Sequence, residues 1–219
     1  MQSSLKVDIL IPVHNALGHF WQMMTSLNRH TERKRYRLII VEDACNLETK
    51  RFIAGIRPDV MIAHPKQQWY TRAVNSGLDR TEHDIIAVLN TDIELCEGWL
   101  DGLLRYFDDK LVMLAGSDHQ PNRVDPTYPR PPDYLTGHCW LVRRRFLEEH
   151  GTLDENHAHI DSDRHFSYRV CERGFVVARD HALPIIHGKG PSWGRNLRAL
   201  PRNDSLPKPN NRKLKPVGR

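Results

Sequence analysis

Short apolar runs alternate along the chain with stretches whose apolar positions recur every three or four residues. Val7-Asp8-Ile9-Leu10-Ile11-Pro12 predicts a first strand. Leu17, Phe20, Trp21, Met24 and Leu27 then fall on one face of a helix over 16–30. The alternation continues with strands at 37–41, 60–63, 84–89 and 111–115 and helices at 47–56, 70–80 and 97–107. Runs this short and this continuously apolar suit strands buried on both faces. Strand–helix–strand repetition implies right-handed crossovers and a mostly parallel sheet with helices on both sides. The pattern breaks at 117–133, a proline-rich stretch read as a long loop that closes over a ligand. It resumes with a strand at 134–142, helices at 144–150 and 161–173, and late strands at 174–178 and 182–186.

Polar groups cluster where strands end. His14 and Asn15 follow the first strand, Glu42 and Asp43 the second, and Asn90-Thr91-Asp92 the run Ile85–Leu89. In a parallel sheet these ends share the carboxyl edge, where open α/β folds bind ligands. A carboxylate delivered there, such as Asp92, is a ligand type for a hard divalent cation that also holds phosphate. Neither G-x-G-x-x-G nor G-x-x-x-x-G-K occurs, which argues against dinucleotide and P-loop enzymes.

Length and charge narrow the picture. At 219 residues the chain is read as one α/β domain over 1–193 followed by a basic, flexible end over 194–219. Of the net charge of +5, that end carries +7, with eight Lys and Arg against Asp204, and the remainder −2. It reads as a solubilising terminus or as an arm for a polyanion. The four cysteines form no C-x-x-C pair, no run approaches the ~20 apolar residues that cross a bilayer, and the N-terminus does not resemble a signal peptide. These features together predict a cytoplasmic location.

The ordered set Val7–Asn15, Ile39-Ile40-Val41-Glu42-Asp43, Arg72-Ala73-Val74-Asn75-Ser76-Gly77, Leu89–Asp92, Gly137–Arg144 and Gly151-Thr152-Leu153-Asp154-Glu155 resembles the family 2 glycosyltransferases. The likeness runs over roughly residues 6–190. It implies the GT-A fold, a Rossmann-like, mostly parallel mixed sheet flanked by helices. It also implies inverting transfer of a sugar from a nucleoside diphosphate sugar, of UDP or dTDP type, assisted by Mn²⁺ or Mg²⁺. By position, Asn90-Thr91-Asp92 stands at the family's D-x-D motif, with Asp92 the metal carboxylate and His187 the late histidine that completes the metal site. Pro12, His14, Asn15, Arg72, Asn75, Asn90 and Thr91 fall on the donor side, and Glu42 or Asp43 reads the base. Gly137 and His138 fall on the acceptor side. Asp163 matches the general base of the E-D-x-D-L-x-x-R helix start, with Asp161 its rival.

The residues alone leave blander roles open. Asp161 and Asp163 stand where acids cap helices, Asp92 where a turn begins, and His187 where a structural histidine is ordinary. Trp99 and Trp140 read as core, whereas Trp69 and Trp193 read as stacking surfaces for a ring. Lys189 and Ser192 are candidate phosphate contacts. The acceptor is a glycan, a glycolipid or a modified base in DNA. A non-catalytic nucleotide-sugar-binding module is the reading from another class.

Overall fold

A computed structural model describes residues 6–117, 134–158, 161–188 and 213–215. The loop expected over 117–133 lies outside these residues beyond Ser117, as do Lys189, Ser192 and Trp193 and most of the basic end.

Among the described residues nine strands and six α-helices form: β1 Val7–Val13, α1 Leu17–His30, β2 Tyr36–Asp43, α2 Leu47–Ile56, β3 Val60–His64, α3 Trp69–Leu78, β4 Ile85–Leu89, β5 Ile93–Leu95, α4 Trp99–Leu104, β6 Val112–Ser117, β7 Cys139–Arg143, α5 Arg144–His150, α6 Ser162–Glu172, β8 Val176–Asp180 and β9 Ile185–His187. Seven strands make one sheet in the order β3-β2-β1-β4-β7-β6-β8. Within it only β7 runs against its neighbours. The fold is α/β, a mixed and mostly parallel sheet.

Two expected strands change. The run predicted over 134–142 pairs only from Cys139; residues 134–136 are irregular and Gly137-His138 form a turn before the strand. The run 182–186 contributes only Ile185–His187, which leaves the main sheet and pairs antiparallel with β5, a strand the hydrophobic pattern did not predict. Three residues of alternating burial are too short for periodicity to register.

Alternation along the strands divides the core between the two faces. Ile9 and Ile11 of β1 pack with Phe20, Met23 and Leu27 of α1, Ile53 of α2 and Trp99 and Leu103 of α4. Leu10 points to the other face, among Val74 and Leu78 of α3, Phe146 of α5 and Phe166 of α6. Trp99 and Trp140 are core residues, as their apolar settings suggested. Within the basic end, Leu214 is also buried in the second cluster, its N–H 3.4 Å from the carbonyl of Leu147.

Capping is divided between local and distant groups. Asn46 caps α2 in the usual way, accepting the N–H of Thr49 at 2.9 Å. Helix α3 has no side-chain cap of its own. Instead Asp43, at the end of β2, accepts the N–H groups of Gln68 at 2.7 Å and Trp69 at 3.0 Å. This bond holds Trp69 at φ 66°, a left-handed conformation in which a bulky residue is strained.

Candidate active site

Because β2, β1 and β4 are adjacent and parallel, their carboxyl ends form one ledge. The turn after β1 carries Asn15 at φ 58° and Ala16 at φ 56°, and cross-links to the turn after β2. His14 donates from Nδ1 to the Asp43 carbonyl at 2.6 Å, and Asn15 Oδ1 accepts the Asn46 N–H at 2.8 Å. His14 is exposed on the ledge, and Pro12 and Asn15 are half-buried.

The acidic pair after β2 is turned inward. Glu42 is 2% exposed, accepts the N–H of Cys45 and lies 3.7 Å from Lys50 Nζ. Asp43 is 3% exposed and accepts His64 Nδ1 at 2.9 Å besides its two helix N–H groups. Both carboxylates are engaged by the chain's own donors, and they shape the ledge rather than project from it. Asn75, expected beside the donor, is 1% exposed, and its amide is consumed by the backbone of Leu153 and by Glu155. It clamps the 151–158 segment onto α3. Arg72 is drawn to the same segment, its Nε 3.3 Å from Glu155 Oε2.

Pairing of β5 with β9 places Ile93 opposite His187 and so brings Asp92 beside it. His187 Nε2 lies 3.6 Å from Asp92 Oδ2, and the Gly188 N–H donates to the Asp92 carbonyl at 2.9 Å. Burial alone would raise the Asp92 carboxyl; the neighbouring His187 outweighs it and holds the group below its ordinary value. Asn90 sits at the β4 end, its N–H on the His138 carbonyl at 2.9 Å. Its Oδ1 is buried without a hydrogen-bond partner among the described residues. Thr91 is half-buried in the turn between Asn90 and Asp92.

These atoms fit a divalent cation in part. A carboxylate and an imidazole lie 3.6 Å apart, a donor pair suited to Mn²⁺ or Mg²⁺, and the uncommitted Asn90 amide oxygen lies two residues before the carboxylate. No cluster of three or more His, Cys, Asp or Glu occurs among the described residues.

Asp163 lies in the first turn of α6 and faces the turn before β7. Its Oδ2 accepts the Gly137 N–H at 2.6 Å, and its Oδ1 that of Arg164 at 2.9 Å. The approach is close: a Cβ at Gly137 would stand 3.0 Å from Asp163 Oδ2, so the carboxylate would have to give by a few tenths of an ångström. Burial pushes the Asp163 carboxyl above its ordinary value; the two N–H bonds oppose this, and the neighbouring Asp161 adds to it. Asp161 itself is 42% exposed at the side chain, makes no capping bond and pairs with Arg164 at 2.9 Å. The structure thus separates the two rivals: Asp163 is enclosed, and Asp161 faces outward in an ion pair.

His138, expected on the acceptor side, is 3% exposed and stacks on His187 with ring centroids 4.3 Å apart. Consecutive residues therefore touch the two candidate centres: Gly137 the carboxylate of Asp163, His138 the imidazole of His187. Two further residues belong to this neighbourhood. Tyr70 donates to the Gly137 carbonyl at 2.9 Å and receives Trp140 Nε1 at 3.3 Å, and burial pushes its hydroxyl up. His64 braces Asp43 and lies 3.2 Å from Ser76 Oγ. His64 ends β3 as Asp43 ends β2, a strand-end position that the sequence reading did not single out; nothing in the local pattern marks Tyr70.

Comparisons with known proteins bear on the family and the fold. The model of "Glycosyl transferase family 2" matches residues 8–175. A Mycobacterium tuberculosis protein named pre-mycofactocin glycosyltransferase is 32% identical over 184 residues, covering 83% of this chain and 35% of that protein. A human protein named probable polypeptide N-acetylgalactosaminyltransferase 8 is 29% identical over 119 residues, 49% of this chain and 19% of its own length. The chain spans about a third of the length of the mycobacterial relative. Among solved structures, the Pyrobaculum calidifontis mannosyltransferase PcManGT, in complex with GDP-Man and Mn²⁺, superposes with a TM-score of 0.71 at 15% identity, over 85% of this chain and 58% of that one. GalNAc-T7 with UDP, GalNAc and Mn²⁺ gives 0.70 at 12%, over 88% and 45%. At such identities the likeness is one of fold, and the fold is GT-A. With a family match over more than half its length, a sheet of this order and a ledge of this composition, the chain belongs to glycosyltransferase family 2.

Proposed function

We propose that this protein is a metal-assisted, inverting glycosyltransferase that moves a sugar from a nucleoside diphosphate sugar to a hydroxyl acceptor. The observation that carries the reading is the juxtaposition of Asp92 and His187, 3.6 Å apart, with Asp163 through the consecutive residues Gly137 and His138. The base of the donor is assigned to the ledge carrying Pro12, His14 and Asn15, shaped from behind by Glu42 and Asp43, and Arg72 and Thr91 remain donor-side candidates. UDP and dTDP sugars are the donors assigned first, and GDP sugars are the comparison to run beside them.

Asp92 and His187 would hold the cation, and the unpartnered Asn90 Oδ1 is a further candidate ligand. When bound, a divalent cation offsets the charge that grows on a departing diphosphate. The chain's own part is proton transfer and placement. Asp163, held by two backbone N–H groups, accepts the proton of the acceptor hydroxyl as that oxygen bonds to the anomeric carbon. The bond from that carbon to the diphosphate breaks on the opposite face, which inverts the centre and leaves a nucleoside diphosphate. Gly137 and Tyr70 keep the carboxylate in place.

The test is release of nucleoside diphosphate from a panel of UDP-, dTDP- and GDP-hexoses with Mn²⁺ and with EDTA, in wild type and Asp163→Asn. Turnover of at least one donor in wild type, lost in the variant, is expected. Binding of donors with no turnover in the presence of hydroxyl acceptors would favour the non-catalytic module instead.

A further inference from the structure

His138 is fixed far more firmly than the imidazole it touches. The Thr136 hydroxyl donates to the Ser117 carbonyl at 3.3 Å, so its oxygen is left to accept His138 Nδ1 at 2.9 Å. The His138 carbonyl accepts the Asn90 N–H at 2.9 Å. The preceding residue, Gly137, is held by Asp163 and by Tyr70. His187 instead ends a three-residue strand in a two-stranded ribbon outside the main sheet, with its side chain 23% exposed. So short a ribbon sets where the His187 backbone runs but does little to choose its ring orientation. The rings of His138 and His187 lie face to face, 4.3 Å between centroids and 9° from parallel.

We propose that His138 is a positioning residue: its buried ring is the platform that holds the His187 imidazole edge-on to Asp92, so that Nε2 and the carboxylate present to one cation. The inference rests on the reading of Asp92 and His187 as the metal seat. It assigns to His138 a part in metal affinity through contact with a ligand, not through coordination and not on the acceptor side. Residues that orient a ligating histidine typically change metal affinity by about 10- to 100-fold when removed. The same turn carries Gly137 on the Asp163 side, so one rigid dipeptide spaces the metal seat from the base.

Mn²⁺ alone is the probe, titrated into the full chain and followed by the electron paramagnetic resonance signal of free aquo-Mn²⁺, with melting temperature as a control on folding. His187→Ala is expected to weaken binding strongly. His138→Ala should weaken it about tenfold or more, and His138→Phe, which keeps a flat ring without a nitrogen, should restore most of the loss. Wild-type affinity in His138→Ala beside a weakened His187→Ala overturns the platform while leaving the metal seat intact. Equal loss in His138→Phe and His138→Ala also overturns it, since a nitrogen and not a surface would then be the active element. Wild-type affinity in His187→Ala removes the seat itself and the platform with it. If His138→Ala does not fold, Thr136→Val frees the ring without emptying its place, and wild-type Mn²⁺ affinity in that variant would equally overturn the proposal.

Discussion

Asp163 and Asp92 are carboxylates driven in opposite directions by their surroundings. Burial raises Asp163 despite two N–H donors, whereas His187 pulls Asp92 down despite burial. A base must be ionised to work, so activity should rise with pH through the raised value of Asp163. Asp161 adds negative charge beside Asp163. Asp161→Asn should therefore shift the acid limb of the kcat/KM profile to lower pH while activity persists; an unmoved limb would separate Asp163 from the observed base. For Asp163→Asn, kcat should fall by about 10²- to 10⁴-fold with donor affinity retained. The stability sign runs the other way. A carboxyl whose folded value is raised contributes stability below its unfolded value and loses it as pH climbs through the folded one. Removing this ionised group therefore releases a charge penalty at neutral pH. One of its two N–H bonds is lost in exchange, because an amide offers one acceptor oxygen where the carboxylate offers two.

At the scale of elements, α3 depends on residues outside itself. Its two leading N–H groups end on Asp43 of β2, and its middle is clamped to the 151–158 segment by Asn75. Asp43→Ala leaves two backbone donors and His64 without their acceptor. A loss of about 2 kcal/mol or more is expected in denaturant unfolding, together with weaker donor binding, because the helix start forms the ledge. Gly77 lets α3 lie directly on β1, since a Cβ there would stand 2.1 Å from Leu10 Cδ1. Gly77→Ala should cost about 1–3 kcal/mol through displacement of Leu10 and the helix. The long elements were legible because their apolar positions keep one period for many residues: β1, β2, β4, α1 and α2 form where the pattern places them. β5 and β9 were illegible as a pair. Each has three residues, and their partnership spans about ninety positions of chain, a contact no local period records.

Across the whole molecule, the candidate groups are brought together from elements far apart in the chain: the ends of β1, β2 and β4, the turn before β7, the start of α6 and the end of β9. A cation and donor that bind only the folded state stabilise it by mass action, by about 2.7 kcal/mol at a ligand concentration 100 times Kd. Melting temperature should accordingly rise when Mn²⁺ and an accepted nucleotide sugar are added together, and Asp92→Asn should abolish the metal-dependent part of that rise while melting normally without ligand. Among the described residues no helix is long and apolar enough to cross a membrane.

The linear chain settled what depends on local order: the alternation of strands and helices, the α/β class, the family, and the polar residues that end β1, β2 and β4. It could not settle what those residues face, because direction is set by neighbours distant in sequence. Packing alone turned Asp43 and Glu42 inward, consumed Asn75 in a backbone clamp, and laid His138 on His187. Packing also distinguished Asp163 from Asp161, two carboxylates that differ little by pattern: one is enclosed against Gly137, and the other faces outward against Arg164. Enclosure, not identity, is what moves a carboxyl toward the work of a base, and enclosure is a property of the tertiary structure.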